Sequence, residues 1–324
     1  MKQNLAFFLI AFAVALVLAP VVIYFLKRLR TGQEILKYVE WHKAKTGTPT
    51  MGGWIFILPV AILAGLVLTP RTPLANIAIL ASMSYAFLGF LDDFLKVRRM
   101  DNLGLRAYQK IIGQGGIAIL VAVFFYLANP DGRLFIPFFN VTWDIGFWIL
   151  PLTVLVLVAT TNSVNLTDGV DGLAATVSLV YLVALGFIIA LVSRTVHVEE
   201  GTTFITLIAI VCGALVCYLL FNSNKAQVFM GDTGSLFLGG IIATLSMFSM
   251  MTLFVPILGI MFVISALSDI IQVAYFKATK GKRVFKMAPF HHHLEKSGWT
   301  EARIVWMYSA VTILVGITCV LFLL

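Results

Sequence analysis

Apolar residues run along this chain in long blocks, separated by short polar stretches. A helix needs about 20 mostly apolar residues to cross a bilayer. Blocks of that order predict ten spans, at roughly 4–26, 52–69, 73–91, 111–128, 145–162, 172–192, 203–221, 235–252, 255–276 and 304–323. Met251, Thr252 and Leu253 barely interrupt the run between the eighth and ninth spans, and Pro256 is the best punctuation there. The short alternating strands of a membrane barrel do not occur in the pattern. The first block follows Lys2, lacks a small-residue cleavage site and ends in Lys27, Arg28 and Arg30. It suits a retained span better than a cleaved signal. The predicted fold class is an all-α polytopic membrane protein with about ten transmembrane helices.

Composition agrees. The chain is 60% hydrophobic and 12% charged, whereas a soluble domain is roughly a quarter charged. No linker, low-complexity tract or polar segment long enough for a separate domain interrupts the blocks, so residues 1–324 read as one membrane domain. Cys212, Cys217 and Cys319 lie inside apolar runs at no metal or redox spacing, and read as small packing residues.

Charge changes the picture by giving the spans an orientation. With ten spans the loops 27–51, 92–110, 163–171, 222–234 and 277–303 share one side, and they hold 19 of the 23 Lys and Arg residues. Only Lys2, Arg71, Arg133 and Arg194 lie on the other. Positive loops stay cytoplasmic, so both termini are expected outside. The excess charge suits anionic headgroups and substrates, although topology alone accounts for it equally well.

The cytoplasmic segments carry the candidate chemistry. Asp92 and Asp93 close the third span, and a continuing helix places Lys96 beside both. They read either as a functional carboxylate pair or as a span cap paired with Lys96, Arg98 and Arg99. The segment from Asn162 to Gly172 joins two spans with Asn165, Asp168 and Asp171 but no Lys or Arg. Its glycines allow close backbone approach, and it lacks the spacing of an EF-hand. The segment from Asn222 to Ser235 brings Asp232 to the start of a span, where helix amides favour anions. Its Phe229 is either a base-stacking platform or an interfacial aromatic. His291, His292 and His293 are consecutive, so they cannot all face one ion in regular structure. Phosphate contact or loop architecture fits them better than metal ligation. Lys43, Lys45, Thr46, Thr48 and Thr50 precede Gly52 and Gly53, but not in the order of a Walker A loop. Five carboxylates at one face with Lys and Arg around them suit Mg²⁺ or Mn²⁺ and phosphoryl chemistry at the lipid interface. Nothing points to a nucleic-acid partner.

Five segments together resemble the polyprenyl-phosphate N-acetylhexosamine-1-phosphate transferase superfamily. They are Thr48-Pro-Thr-Met-Gly-Gly53, Leu91-Asp-Asp-Phe94, Asn165-Leu-Thr-Asp-Gly-Val-Asp-Gly172, Val228-Phe-Met-Gly-Asp-Thr-Gly-Ser235 and Pro289-Phe-His-His-His-Leu-Glu295. The histidine segment looks like the bacterial cell-wall branch rather than the N-acetylglucosamine branch. That resemblance implies an enzyme of the bacterial cell membrane. It would move phospho-N-acetylmuramoyl-pentapeptide from UDP-N-acetylmuramoyl-pentapeptide to undecaprenyl phosphate, giving lipid I and UMP. It also implies a Mg²⁺ cofactor on Asp232, catalytic roles for Asp92, Asp93, Asp232 and His291 to His293, and a homodimer. Lys45, Thr50, Asn165, Asp168, Asp171, Asn222, Phe229 and Gln272 match nucleotide or inhibitor contacts. Lys96 and the more loosely matched Lys110 would offset repulsion between the two anionic substrates. Asp93 is the expected base, with direct attack and an aspartyl intermediate both open. Transfer from UDP-N-acetylglucosamine is the nearer alternative. A transporter is the more distant one, with Asp269 its deepest carboxylate.

Overall fold

A computed structural model describes residues 2–29, 47–99, 104–193, 195–223 and 225–324. It is mostly helical, and nine of its helices among the described residues are long and apolar enough to cross a membrane. In chain order the elements are α1 (Lys2–Arg28), α2 (Trp54–Val67), α3 (Pro73–Arg99), α4 (Ala107–Ala128), β1 (Arg133–Ile136), β2 (Val141–Asp144), α5 (Ile149–Thr167), α6 (Leu173–Val192), α7 (Gly201–Asn222), α8 (Gly231–Phe248), α9 (Phe254–Leu258), α10 (Ile260–Ala278), α11 (Phe290–Glu295) and α12 (Glu301–Leu321).

Three departures from the sequence pattern have local causes. The expected span over 52–69 is a helix of 14 residues, about 21 Å at 1.5 Å per residue, against a hydrocarbon core of roughly 30 Å. It begins after the Gly52–Gly53 turn and ends at Leu68, which is extended. Pro70 comes two residues later, and a proline disfavours helix in the residue before it, here Thr69, so the helix has no room to resume. The expected span over 255–276 is broken at Gly259 into α9 and α10. The segment 129–144, between the spans expected at 111–128 and 145–162, contains a two-stranded antiparallel hairpin, so the class is helical but not strictly all-α. Its strands Arg-Leu-Phe-Ile and Val-Thr-Trp-Asp are rich in β-branched and aromatic residues, and Phe138 and Asn140 take positive φ at the turn. The Phe135 amide donates to the Met250 carbonyl at 3.0 Å, which ties the hairpin to the end of α8.

The bundle is built around α8, whose side chains are almost all buried. Between membrane helices there is little hydrophobic drive, so small residues that let backbones approach stabilise the contact. Helix α8 supplies them: a Cβ at Gly239 would meet the Thr161 backbone on α5, and one at Gly240 would meet Ser82 and Tyr85 on α3. Hydroxyls on α8 return to their own helix, as from Thr244 to the Gly240 carbonyl at 2.8 Å and from Ser246 to that of Ile242 at 2.7 Å. Across the bundle, the Tyr181 and Ser246 hydroxyls lie 2.8 Å apart. The result is a central helix whose N-terminus is fixed at one end of the molecule.

Orientation is open to a direct check. A cysteine replacing Asn140 in the hairpin turn is expected to react with a membrane-impermeant maleimide in intact cells, and one replacing Lys282 only after lysis. The native cysteines are buried and supply a low background.

Candidate active site

Helix α3 does not stop where its apolar run stops. It continues through Arg99, and this carries Asp92, Asp93 and Lys96 on one helical surface. That end of α3 meets the start of α8 because residue 89 is glycine. A Cβ there would collide with the backbone of Asp232 and Thr233. Gly89→Ala is therefore expected to push the two helices apart, with an overpacking cost of about 1–3 kcal/mol. Thermal unfolding and metal binding of the purified variant, both reduced, check this.

Asp93 is 2% exposed and is tied to the first turn of α8. Its carboxylate accepts from the Asp232 amide at 3.2 Å, the Thr233 amide at 2.9 Å and the Thr233 hydroxyl at 2.7 Å. Amides at a helix N-terminus have no partner within the helix, so a carboxylate from α3 satisfies them and meets the positive end of the helix dipole. Gly231 enters this turn at φ +71°, and Thr50 and Asp93 flank the place where its Cβ would be. Thr50 is held there by a short ladder: Phe229 donates to Pro49, Gly52 to Phe229 and Gly53 to Met230.

Asp92, 1% exposed, accepts from the Leu105 amide through Oδ1 at 2.7 Å. Its Oδ2 lies 2.6 Å from the Lys96 ammonium and 2.9 Å from that of Lys110. Asp232 shares both cations: its Oδ2 is 2.6 Å from Lys110 and 3.4 Å from Lys96. Asn165 Nδ2 donates to the other oxygen of Asp232 at 3.0 Å and to the Ser235 hydroxyl at 2.8 Å. Oxygens of Asp92, Asp93 and Asp232 fall within 4.8 Å of one another. Three convergent carboxylates are the hard-oxygen donor set that Mg²⁺ or Mn²⁺ prefers, so the residues present fit such an ion.

The turn between α5 and α6 is held from three sides. Asn222 accepts from the Gly172 amide at 3.0 Å and donates to the Val228 carbonyl at 2.9 Å. Asp171 accepts from the Ala226 amide at 3.0 Å, and its own amide donates to Glu301 at 3.2 Å. Asn222 and Asp171 thus bind backbone, and Gln272 does the same: it accepts from the Val284 and Phe285 amides and donates to the Phe285 carbonyl. Asp168 differs. It is half-buried with no such tie, and its pKa is pushed up to about 8, first by desolvation and then by repulsion from Asp232, Asp93 and Asp171.

That shift has a sign. The unfolded chain releases this proton more readily than the folded one, so the contribution of Asp168 to stability falls as pH rises from about 4 toward about 8 and then levels. Asp168→Asn removes this titrating group. Thermal unfolding in chelator is expected to show the variant gaining on wild type across that window, and a constant difference would refute the assignment.

The three histidines diverge, as their adjacency requires. His291 is fully buried, with its ring against Gly169 in the α5–α6 turn. His292 Nδ1 is 2.6 Å from Glu295. His293 accepts from the Lys286 amide at 3.1 Å and stacks on Phe290. Phe229 is half-buried. Lys45 lies outside the described residues. Ser235, Leu105 and Glu301 position the site and carry no signal of that role in the sequence. Their partners are distant in the chain, and no spacing signals them.

Comparison with known proteins adds the family. The model of glycosyl transferase family 4 matches residues 75–250, more than half of the chain. A phospho-N-acetylmuramoyl-pentapeptide-transferase of Clostridium botulinum (strain Alaska E43 / Type E3) is 43% identical over 310 residues, covering 95% of this chain and 93% of that protein. One of Heliobacterium modesticaldum is 42% identical over 318 residues, covering 97% and 96%. One of Clostridioides difficile (strain 630) is 40% identical over 310 residues, covering 95% and 94%. With the carboxylates of α3 and α8 gathered at one end of a membrane-helix bundle, and with identity of this extent over nearly the whole length, the chain belongs to the phospho-N-acetylmuramoyl-pentapeptide-transferases of glycosyl transferase family 4.

Proposed function

We propose that this chain transfers phospho-N-acetylmuramoyl-pentapeptide from its UDP-linked form to undecaprenyl phosphate, releasing UMP and forming lipid I. The observation that carries the reading is the convergence of Asp92, Asp93, Asp232, Lys96 and Lys110 at one end of the bundle. The end-to-end identity with enzymes of that name supports it. In the same reading α2 is a tenth crossing, both termini are outside, residues 1–324 are one domain, and the site faces the cytoplasm of a bacterial cell. Two copies form the working assembly, which the mass of the detergent-free particle checks.

Phosphoryl transfer is mostly positioning and charge stabilisation. Two anions must meet, and Lys96 and Lys110 lower their mutual repulsion. Asp232, with Asp92 alongside, would hold Mg²⁺, which when bound stabilises charge on the departing UMP phosphate. Asp93 takes the proton of the lipid phosphate. Each of its oxygens already accepts a hydrogen bond from α8, and lone-pair capacity remains on Oδ1. That tie favours direct attack by the lipid phosphate over an aspartyl intermediate, because a phosphorylated Asp93 would have to give up the start of α8. Asp168, next to the Gly169 on which the His291 ring packs, together with Thr50 and Phe229, faces the nucleotide. His292 and His293 brace the segment from Lys286 to Glu295 beside it.

Purified protein given undecaprenyl phosphate and Mg²⁺ with UDP-N-acetylmuramoyl-pentapeptide or with UDP-N-acetylglucosamine tests the reading. UMP release is expected from the first donor only. Release from the second alone would assign the chain to N-acetylglucosamine transfer, and release from neither would return it to the transporter reading.

A further inference from the structure

The two lysines of the site do not reach outward toward incoming anions. Lys96 and Lys110 are about three-quarters buried or more, at 20% and 28% side-chain exposure, and their ammonium groups are turned onto the carboxylates. Both touch Asp92 Oδ2, at 2.6 and 2.9 Å, and both reach Asp232 Oδ2, at 3.4 and 2.6 Å. Lys96 also lies 3.8 Å from Asp93. Two positive charges therefore lie on the same oxygens that make up the divalent-cation donor set. A dication drawn to Asp232 meets both ammonium groups there, and like charges at such distances repel strongly in a partly desolvated site. Buried carboxylates left without a counter-charge are costly, so the lysines stabilise the cluster in the absence of an ion. Each ammonium group has three donors and directs two at these carboxylates, so little of its capacity is left for the phosphates of a donor.

We propose that Lys96 and Lys110 are exchangeable counter-ions: they occupy the Asp92–Asp232 carboxylates until a divalent cation replaces them, and their charge is then handed to the phosphates of the nucleotide donor. The inference rests on Asp232 as the metal ligand. It goes further in coupling the two binding events through the lysines. An anion that draws the ammonium groups away unmasks the carboxylates, so anion and cation each tighten the other's binding, and linkage makes the effect reciprocal. Lysines that were fixed phosphate clamps would give no such coupling of their own. The positions also suit the exchange. Lys96 is on α3 and Lys110 on the first turn of α4, so each reaches the carboxylates by a long, flexible stem rather than by a rigid fork.

The test is Mn²⁺ binding to the full-length purified protein, read from the electron paramagnetic resonance signal of free Mn²⁺. It is done with and without saturating UMP, and a protein-free control subtracts Mn²⁺ held by the nucleotide. UMP is expected to tighten Mn²⁺ binding to wild type by about five-fold or more. Without UMP, Lys110→Gln and Lys96→Gln are each expected to bind Mn²⁺ at least about three-fold more tightly than wild type, because the competing charge is gone. In the double variant the effect of UMP falls below about two-fold, since only direct contact between ion and phosphate remains. Lys277→Gln, outside the cluster, keeps the wild-type values. Single variants that bind Mn²⁺ no more tightly than wild type overturn the proposal, as does coupling that persists undiminished in the double variant. Should the variants not yield monodisperse protein, absence of UMP coupling in wild type overturns it and presence supports it. Wild type that binds no Mn²⁺ at all overturns the metal site itself, a different failure from an uncoupled one.

Discussion

Asp232→Asn is expected to lower UMP release by roughly 100-fold or more while the protein still folds. The carboxylate stands where three kinds of contact meet. One oxygen takes the Asn165 amide at 3.0 Å, the other takes Lys110 at 2.6 Å and Lys96 at 3.4 Å, and the group belongs to the three-carboxylate donor set. An amide of the same shape can still meet Asn165, so the turn at the start of α8 survives. It carries no charge for the lysines and is a poor ligand for a hard cation. Loss of Mn²⁺ binding and loss of turnover should therefore appear together in this variant, with an unfolding temperature close to that of wild type. Turnover near normal would remove Asp232 from the metal role.

Asp93→Asn is the second large effect, and it separates two functions of one side chain. General-base removal costs roughly 100- to 10,000-fold. The tie to α8 is a different matter. Its three hydrogen bonds all run from α8 to the carboxylate, and an amide must offer one oxygen and turn its NH₂ toward donors. Asp93→Asn is thus expected to lose both turnover and some stability. Asp93→Glu keeps a base and disturbs the tie. If the proton-transfer role is the larger one, Asp93→Glu recovers measurable activity with a shifted pH profile. If the tie is all that Asp93 supplies, neither variant shifts the profile of its residual activity.

Much of the fold was legible because apolar block length is a strong signal in a membrane chain. The places where the pattern misled are those where a local backbone rule overrode it. Helix α2 stops short because Pro70 follows, and α9 and α10 part at Gly259 within one apolar run. Helix α3 goes on through the eight residues Asp92 to Arg99, five of them charged, because nothing there breaks a helix, although the long apolar run has ended. The hairpin between α4 and α5 is too short to show a strand period clearly.

The site was legible as a set of motifs but not as a set of contacts. Asp92, Asp93 and Asp232 stood out because carboxylates at the mouths of apolar spans are costly without a purpose. That Asp93 would cap α8 depends on Gly89, whose missing side chain lets the helices meet, and glycine in a span carries no mark of its partner. Asn222, Asp171 and Gln272 drew attention as polar side chains near the interface. In the folded chain their side chains bind backbone groups of the loops and turns around the site, an arrangement set by pairings 6 to 55 positions apart. Glu301 reaches the Asp171 amide across 130 positions, which no motif could announce.

The most direct single measurement is UMP release from UDP-N-acetylmuramoyl-pentapeptide by wild type and Asp93→Asn side by side, with undecaprenyl phosphate present or omitted. Release by wild type that depends on the lipid, and that falls by about 100-fold or more in the variant, is the predicted result. Wild type that releases no UMP, or a variant that releases it at the wild-type rate, would contradict the assignment of transfer to the carboxylates of α3 and α8.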